Sequence, residues 1–226
     1  YSKVRVSIVT TGDEVGAFDA DGPKPWQLRN SNRESLSTLL ESIPWIELTN
    51  IDHCRDDRES MRRLLEDRME SSDAILLTGG VSMGDYDFVP DVIREIGGQI
   101  EFHGLPIRPG KPILGAATAN GKLIMGLPGN PVSATVGCRR MAEPLLAKMG
   151  GSIDWRPLYP SVRLIGSDSK TIPLHWMRLV RLVEPGVAEL VPSQGSGDLV
   201  SLGASSGFVE LPPGQSGEGP WPYIAW

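Results

Sequence analysis

Cysteine is scarce: the 226 residues contain two, Cys54 and Cys138. They lie far apart and match no CxxC spacing, which excludes a thiolate metal cluster and a disulfide-dense scaffold. Two buried free thiols are the expectation. Histidine is as thin, with three residues. His53, His103 and His175 are scattered and form no HExxH pair, so a zinc-protease helix is excluded. Basic charge is also short. Lys+Arg 22 against Asp+Glu 28 leaves −6, whereas coating a nucleic-acid duplex needs a basic surface. A local basic pocket for a small anion stays compatible with that balance. No uninterrupted apolar run reaches about 18 residues, so no membrane-spanning helix is expected. No secretory signal opens the chain, and the expected location is the cytoplasm. Position 1 is Tyr rather than Met and leads almost at once into a strand-like run, which reads as a piece of a longer protein or a processed one.

What is present is a chain with 40% hydrophobic and 22% charged residues, 26 Gly and 19 Pro, the balance of a globular protein with a sizeable core. Val4 to Val9 is a β-branched run that stops at a glycine turn. Residues 32–43 place Leu36, Leu39, Leu40 and Ile43 at helical spacing before Pro44. Residues 45–51 alternate as a strand. Residues 57–69 read as a helix capped by Asp56 or Asp57. Ala74 to Thr78 is a short, wholly apolar strand, and residues 88–96 are a helix closed by Gly97-Gly98. Residues 112–117 and 122–126 pair as strands. Residues 131–149 read as one long helix with Pro131 in its first turn. After Gly151 the pattern turns to short strands, at residues 162–164, 177–183, 188–191 and 208–211, with no convincing helix. Residues 212–226 form a Gly/Pro-rich end. The fold class expected is therefore α/β: a layered sheet domain over 1–150, then a small all-β domain over 151–226.

Three glycine-bearing loops follow strands, the first two with carboxylates: Thr11-Gly12-Asp13-Glu14, the run Thr78-Gly79-Gly80-Val81-Ser82-Met83-Gly84-Asp85-Tyr86-Asp87, and Gly126-Leu127-Pro128-Gly129-Asn130-Pro131. Glycines let the backbone come close to a ligand and aim successive N–H groups at phosphate. Carboxylates beside a phosphate repel it unless a cation stands between, so Glu14, Asp56, Asp85 and Asp87 point to an oxygen-liganded metal, Mg²⁺ first. A fourth element, Ile107-Arg108-Pro109-Gly110-Lys111-Pro112, presents two cations on a proline-stiffened loop suited to an oxyanion. It is not a Walker loop, because Leu105 and Pro112 stand where that pattern needs Gly and Ser or Thr. Gly195-Ser196-Gly197 is no dinucleotide fingerprint, and Ser82 sits in no GxSxG elbow. Trp26, in a Gly/Pro-rich loop, is either a packing anchor or a pocket wall.

Taken in order, Thr11-Gly12-Asp13-Glu14, Asn30-Ser31-Asn32, Arg55-Asp56-Asp57, Gly79 to Gly84 with Asp87, Arg108 to Pro112 and Gly126 to Ala134 resemble the MoeA/gephyrin E-domain family of molybdopterin molybdotransferases. The likeness runs over residues 3–150 and resumes around Met177-Arg178 and residues 193–197. It implies a MogA-like three-layer domain that binds molybdopterin, followed by a small β-barrel. It implies insertion of molybdate into adenylylated molybdopterin, with Mg²⁺ assisting and AMP released. By position, Glu14, Asp56 and Asp87 match carboxylates of that active site, and Arg108 and Lys111 match its basic loop. Thr11, Gly12, Asp13, Gly79, Gly80, Ser82, Gly84, Pro128, Gly129 and Asn130 match its ligand-holding loops. Arg178 and Ser196 match positions that face the cleft across a dimer. The resemblance further implies a homodimer and an adenylyltransferase partner. Two alternatives stay open: a molybdopterin adenylyltransferase, which shares the α/β domain, and a non-catalytic molybdopterin-binding scaffold.

Overall fold

The computed structural model describes residues 2–16, 24–81 and 88–226. In chain order the first part comprises β1 (Val4–Thr11), β2 (Val15–Gly16), β3 (Leu28–Arg29), α1 (Ser31–Glu41), β4 (Ile46–Cys54), α2 (Arg58–Ser71) and β5 (Ala74–Thr78). Then come α3 (Val89–Glu95), β6 (Gly98–His103), β7 (Ile107–Arg108), β8 (Leu114–Thr118) and β9 (Leu123–Leu127). One sheet has the strand order β4-β1-β5-β9-β8-β6. Its first four strands are parallel, and β8 runs antiparallel to both β9 and β6. Parallel strands must be covered on both faces, and the period of two in their side chains sorts the core accordingly. Val6 and Ile8 of β1, Leu76 of β5 and Met125 of β9 pack with Leu36 and Leu40 of α1. Val9, Ile75, Leu77 and Ile124 pack on the other face with Met61 and Leu65 of α2 and Val92 and Ile93 of α3. The result is a three-layer α/β unit.

The stretch read as one long helix is helical but not regular. It consists of α4 (Pro131–Gly137), a π turn (Cys138–Ala142) and α5 (Glu143–Met149). The cause is Pro144, which has no N–H to give the carbonyl four residues back and crowds it. The backbone widens, and the Glu143 N–H reaches the Cys138 carbonyl instead.

The second sheet is built from β10 (Ser161–Ile165), β11 (His175–Glu184), β12 (Val187–Leu190), β13 (Gly207–Leu211) and β14 (Trp221–Ala225). Their order β12-β10-β14-β13-β11, with β11 also paired to β12, closes a five-stranded barrel. Val162, Leu164, Val180, Val209 and Tyr223 fill it. Two expectations are corrected here. The Gly/Pro-rich end contains β14, whose Pro222 is tolerated because it sits at the last register position against Ser161 of β10. A helix does occur after residue 151: α6 (Leu199–Ala204), six residues long and capped by Asp198, which accepts from the Ser201 N–H at 3.1 Å.

The barrel takes one strand from the first part of the chain. β7, in the Arg108 loop, pairs in parallel with His175 and Trp176 of β11. Ile107, Met177, Leu179, Phe208 and Ile224 share an apolar cluster with Ile113 and Leu127. Among the described residues no helix is long and apolar enough to cross a membrane.

Candidate functional site

In an open α/β sheet the hollow lies beyond the carboxyl ends of the strands, where the chain order reverses. Here that point is between β1 and β5. A cleft of about 880 Å³ opens there, walled by Thr10 to Gly12 after β1, Thr78 to Val81 after β5 and Pro128 to Pro131 after β9. The three strand ends are laced together. The Thr11 hydroxyl donates to the Thr78 carbonyl at 3.1 Å, and the Gly79 N–H donates to the Leu127 carbonyl at 3.0 Å.

Glycine is required on this lacing. Gly79 has φ +91, and a Cβ there would lie 2.5 Å from Thr11 Oγ1; at Gly80, with φ +62, it would lie 2.7 Å from Val89 Cγ2. Gly12, with φ +123, lies under the Glu14 carboxylate, whose Oε2 a Cβ would approach to 2.7 Å. Packing and positive φ therefore require glycine at these three points of the cleft wall.

Two of the predicted carboxylates, Glu14 and Asp56, line this cleft. Glu14 is held by its own loop: its carbonyl accepts the Leu28 N–H at 2.7 Å, where β2 and β3 pair. Asp56 accepts the Asp13 N–H at 3.2 Å, and the Asp56 N–H returns to Asp13 Oδ1 at 3.4 Å. Asp13 thus acts through Asp56 rather than as a wall of the cleft. The helix cap next door is Asp57, which accepts the Ser60 N–H at 2.8 Å and is held below the usual carboxylate range by its hydrogen bonds to Ser60. The negative field is felt by Cys54 at the end of β4. Burial first, then Asp57, Asp56, Asp13 and Asp52, push its thiol up to about 11.

Ser82, Gly84, Asp85 and Asp87 of the predicted set lie outside the described residues. Among the described residues no three His, Cys, Asp or Glu side chains gather closely enough to hold a metal. Glu14 and Asp56, which both line the cleft, are ligands of the kind Mg²⁺ takes, an ion that uses one or two carboxylates and completes its shell with water and phosphate.

The basic residues lie elsewhere. Arg108 and Lys111 are exposed on their loop, and of that loop Pro112 reaches the cleft wall. Arg108 and Arg178 lie over the Trp176 ring at 5.8 and 4.3 Å. Arg178 is bound on both nitrogens by Asp168 at 2.8 Å, which lowers the Asp168 pKa. Ser196 meets this chain's own Asn130: its hydroxyl accepts from Asn130 Nδ2 at 2.9 Å, and its carbonyl takes the Val132 N–H at 3.0 Å. Gly197 and Leu199 follow it into the cleft wall. One N–H at the start of α4 is therefore already used by the barrel.

Asn30, Asn32, Arg29, Leu28, Phe88 and Leu199 also line the cleft and stood outside the predicted set. Asn30 had a legible signal, since an asparagine before an apolar periodic run is an N-cap. Its Oδ1 takes the Arg33 N–H at 3.2 Å while its Nδ2 donates to Thr10 Oγ1 at 2.7 Å. Leu199 arrives from α6, far along the chain, and left no local trace.

A domain family described as "Probable molybdopterin binding domain" matches residues 7–148. The chain is similar to the molybdopterin molybdenumtransferase of Synechococcus elongatus, 35% identical over 220 residues that cover 95% of this chain and 53% of that one. It is similar to the molybdopterin molybdenumtransferase of a Nostoc species, 31% identical over 96% of this chain and 51% of the relative. Among solved structures, the molybdopterin biosynthesis MoeA protein from Pyrococcus horikosii superposes with a TM-score of 0.79 at 27% identity, over 99% of this chain and 54% of that one. The chain thus spans about half the length of the curated relatives it matches.

Proposed function

The chain belongs to the probable molybdopterin binding domain family, and from that premise we propose that it carries the molybdate-inserting site of a molybdopterin molybdotransferase. The observation that carries the reading is the convergence of three glycine-bearing strand ends with Glu14 and Asp56 on one cleft. The substrates would be adenylylated molybdopterin and molybdate, and AMP the released product.

Each part of the cleft suits a part of that chemistry. The glycine turns at Gly12, Gly79 and Gly129 let a phosphate approach main-chain amides without meeting a Cβ. Glu14, Asp56 and Asp87 are the residues that would hold Mg²⁺. When bound, that ion supplies neutralisation of the charge that builds on the phosphoryl oxygens as the anhydride breaks. Arg108 and Lys111, on a loop that reaches the cleft wall at Pro112, would offer a tetrahedral dianion its donors beside the cleft. Asn130 and Ser196, bonded to each other, keep the barrel against the cleft while it is occupied. The sulfurs that receive the metal belong to the pterin, so the site needs no cysteine of its own.

In the same reading the α/β unit spans residues 1–150 and the barrel residues 151–226. The protein acts in the cytoplasm as a homodimer and receives its substrate from an adenylyltransferase. The deciding experiment is AMP release from adenylylated molybdopterin in the presence of molybdate and Mg²⁺. Molybdate-dependent release is expected. Binding of the substrate with no release would make the chain a scaffold. Pyrophosphate release from ATP and free molybdopterin would make it an adenylyltransferase.

A further inference from the structure

Asn32 shows a feature that the proposed reaction leaves unused. It is the second residue of α1, lines the cleft and is 9% exposed. Its Nδ2 donates to the Gly129 carbonyl at 2.7 Å. A carbonyl can only accept, so this bond fixes which end of the amide faces Gly129. The other end, Oδ1, is shut away from solvent and meets no donor. Among the described residues it is the one buried side-chain polar atom without a partner. Native folds rarely tolerate such an atom, because leaving it unpaired costs stability. The two other asparagines on the cleft differ: Asn30 is bonded at both ends and Asn130 holds Ser196.

Resting on the reading of the cleft as a site for a phosphorylated pterin, we infer that Asn32 is the residue that reads the pterin ring, its Oδ1 accepting a ring or amino N–H. The chemistry of the guests narrows the donor. Phosphate and molybdate offer oxygens, which accept, so neither satisfies Oδ1. The wall carboxylates Glu14 and Asp56 accept as well. A pterin carries an amide N–H and an amino group side by side, whereas the AMP half of the substrate offers an amino group with no adjoining ring N–H, and binding of AMP alone separates the two. Solvent does not touch Oδ1 in the free protein, so the donor reaches it as the guest seats against the exposed Gly129 turn and that turn yields. Asn32 then has a double role: Nδ2 holds the turn, and Oδ1 selects the ring.

The test uses 6-hydroxymethylpterin phosphate, AMP and inorganic phosphate as probes, with affinity read by calorimetry and stability by thermal unfolding. Asn32→Leu keeps the γ-branched shape at a larger volume and removes the unpaired oxygen, while the Gly129 carbonyl on its exposed turn is left to water. The expected result is an unchanged or raised Tm without ligand. Pterin phosphate affinity should fall about tenfold, the worth of one ordinary hydrogen bond, with phosphate affinity unchanged. Asn32→Asp keeps an acceptor but loses the donor, and should retain the preference for pterin phosphate over phosphate. A pterin phosphate methylated at the ring and amino nitrogens should bind the wild type about tenfold more weakly than the parent probe does, a comparison made on the wild type alone and independent of how any variant folds. Equal losses for pterin phosphate and phosphate, or a methylated probe that binds undiminished, would overturn the inference. So would a preference for AMP. A wild type that shows no gain for pterin phosphate over phosphate sinks the reading of the cleft itself. A wild type with that gain, kept intact in Asn32→Leu, sinks the role of Asn32 alone.

Discussion

Gly79→Ala is the sharpest test of how the cleft is built. The backbone at Gly79 has φ +91, a region that costs an L-residue about 1–2 kcal/mol. The new Cβ would lie 2.5 Å from Thr11 Oγ1, so the hydroxyl must swing away. In leaving it gives up its 3.1 Å bond to the Thr78 carbonyl, worth about 1 kcal/mol. The sum is about 2–3 kcal/mol, which in a chain of this size lowers Tm by about 5–10 °C. Thermal unfolding followed by circular dichroism measures it. Thr11→Ala alone should lose the single hydrogen bond, about 1 kcal/mol. Combined with Gly79→Ala it also clears the space that the new methyl needs. The double variant should therefore be more stable than the sum of the two losses by about 1 kcal/mol, the coupling expected of touching groups. A Tm for Gly79→Ala within about 2 °C of wild type, or strict additivity in the double variant, would show that β1 and β5 do not meet as described.

Three further outcomes follow from the same geometry. If the chain has the proposed activity, Glu14→Gln and Asp56→Asn should each abolish most Mg²⁺-dependent AMP release while leaving Tm nearly unchanged, because Asp56 holds one exposed 3.2 Å bond from the Asp13 N–H; loss of folding in place of activity would make them structural. Arg5 grips Asp73 through two nitrogens, at 3.2 and 2.8 Å, and that bonding holds the carboxyl below its usual range. Its contribution is complete above the unfolded pKa near 3.8 and fades as pH falls through the lower folded value. Asp73→Asn should therefore flatten the acid limb of the stability profile below that pH; an identical acid limb in the variant speaks against the pair. Burial puts Cys54 at about 11 and Cys138 at about 12. Neither should react with a thiol reagent at pH 8 until denaturant is added, and stoichiometric labelling of the folded protein would contradict their placement.

The parallel sheet was legible because its strands are short apolar runs that stop at glycine turns, and α1 and α2 were legible from their caps and helical spacing. The edge strand β6 was missed although Gln99-Ile100-Glu101-Phe102 alternates, because the run is short and follows directly on the glycines that close α3. β14 was missed because Pro222 argues against a strand until the register shows where it sits. The closure of the barrel between β11 and β12 is a long-range pairing that no local pattern encodes. At the cleft, local chemistry reached Glu14, Asp56 and the glycine turns. It could not reach Leu199, nor the contact of Ser196 with Asn130, which depends on how the barrel rests on the sheet. Asn32 illustrates a deeper limit. As a residue type it is an ordinary helix-start asparagine, and only coordinates reveal that half of its amide is spoken for and half is not.

The loan of β7 to the barrel bears on how the molecule could be taken apart. Two residues drawn from the middle of the first unit form a rung of the second, so the chain is stitched across its apparent seam. A protease cutting at Gly150-Gly151 would leave two pieces still clasped by that stitch and by the shared apolar cluster around Ile107 and Phe208. Expressed apart, each piece would bare a sticky flank: the first an orphaned rung, the second an unguarded strand margin at His175 and Trp176. Nicked protein should thus migrate as one body on a sizing column, whereas the separately made halves should clump.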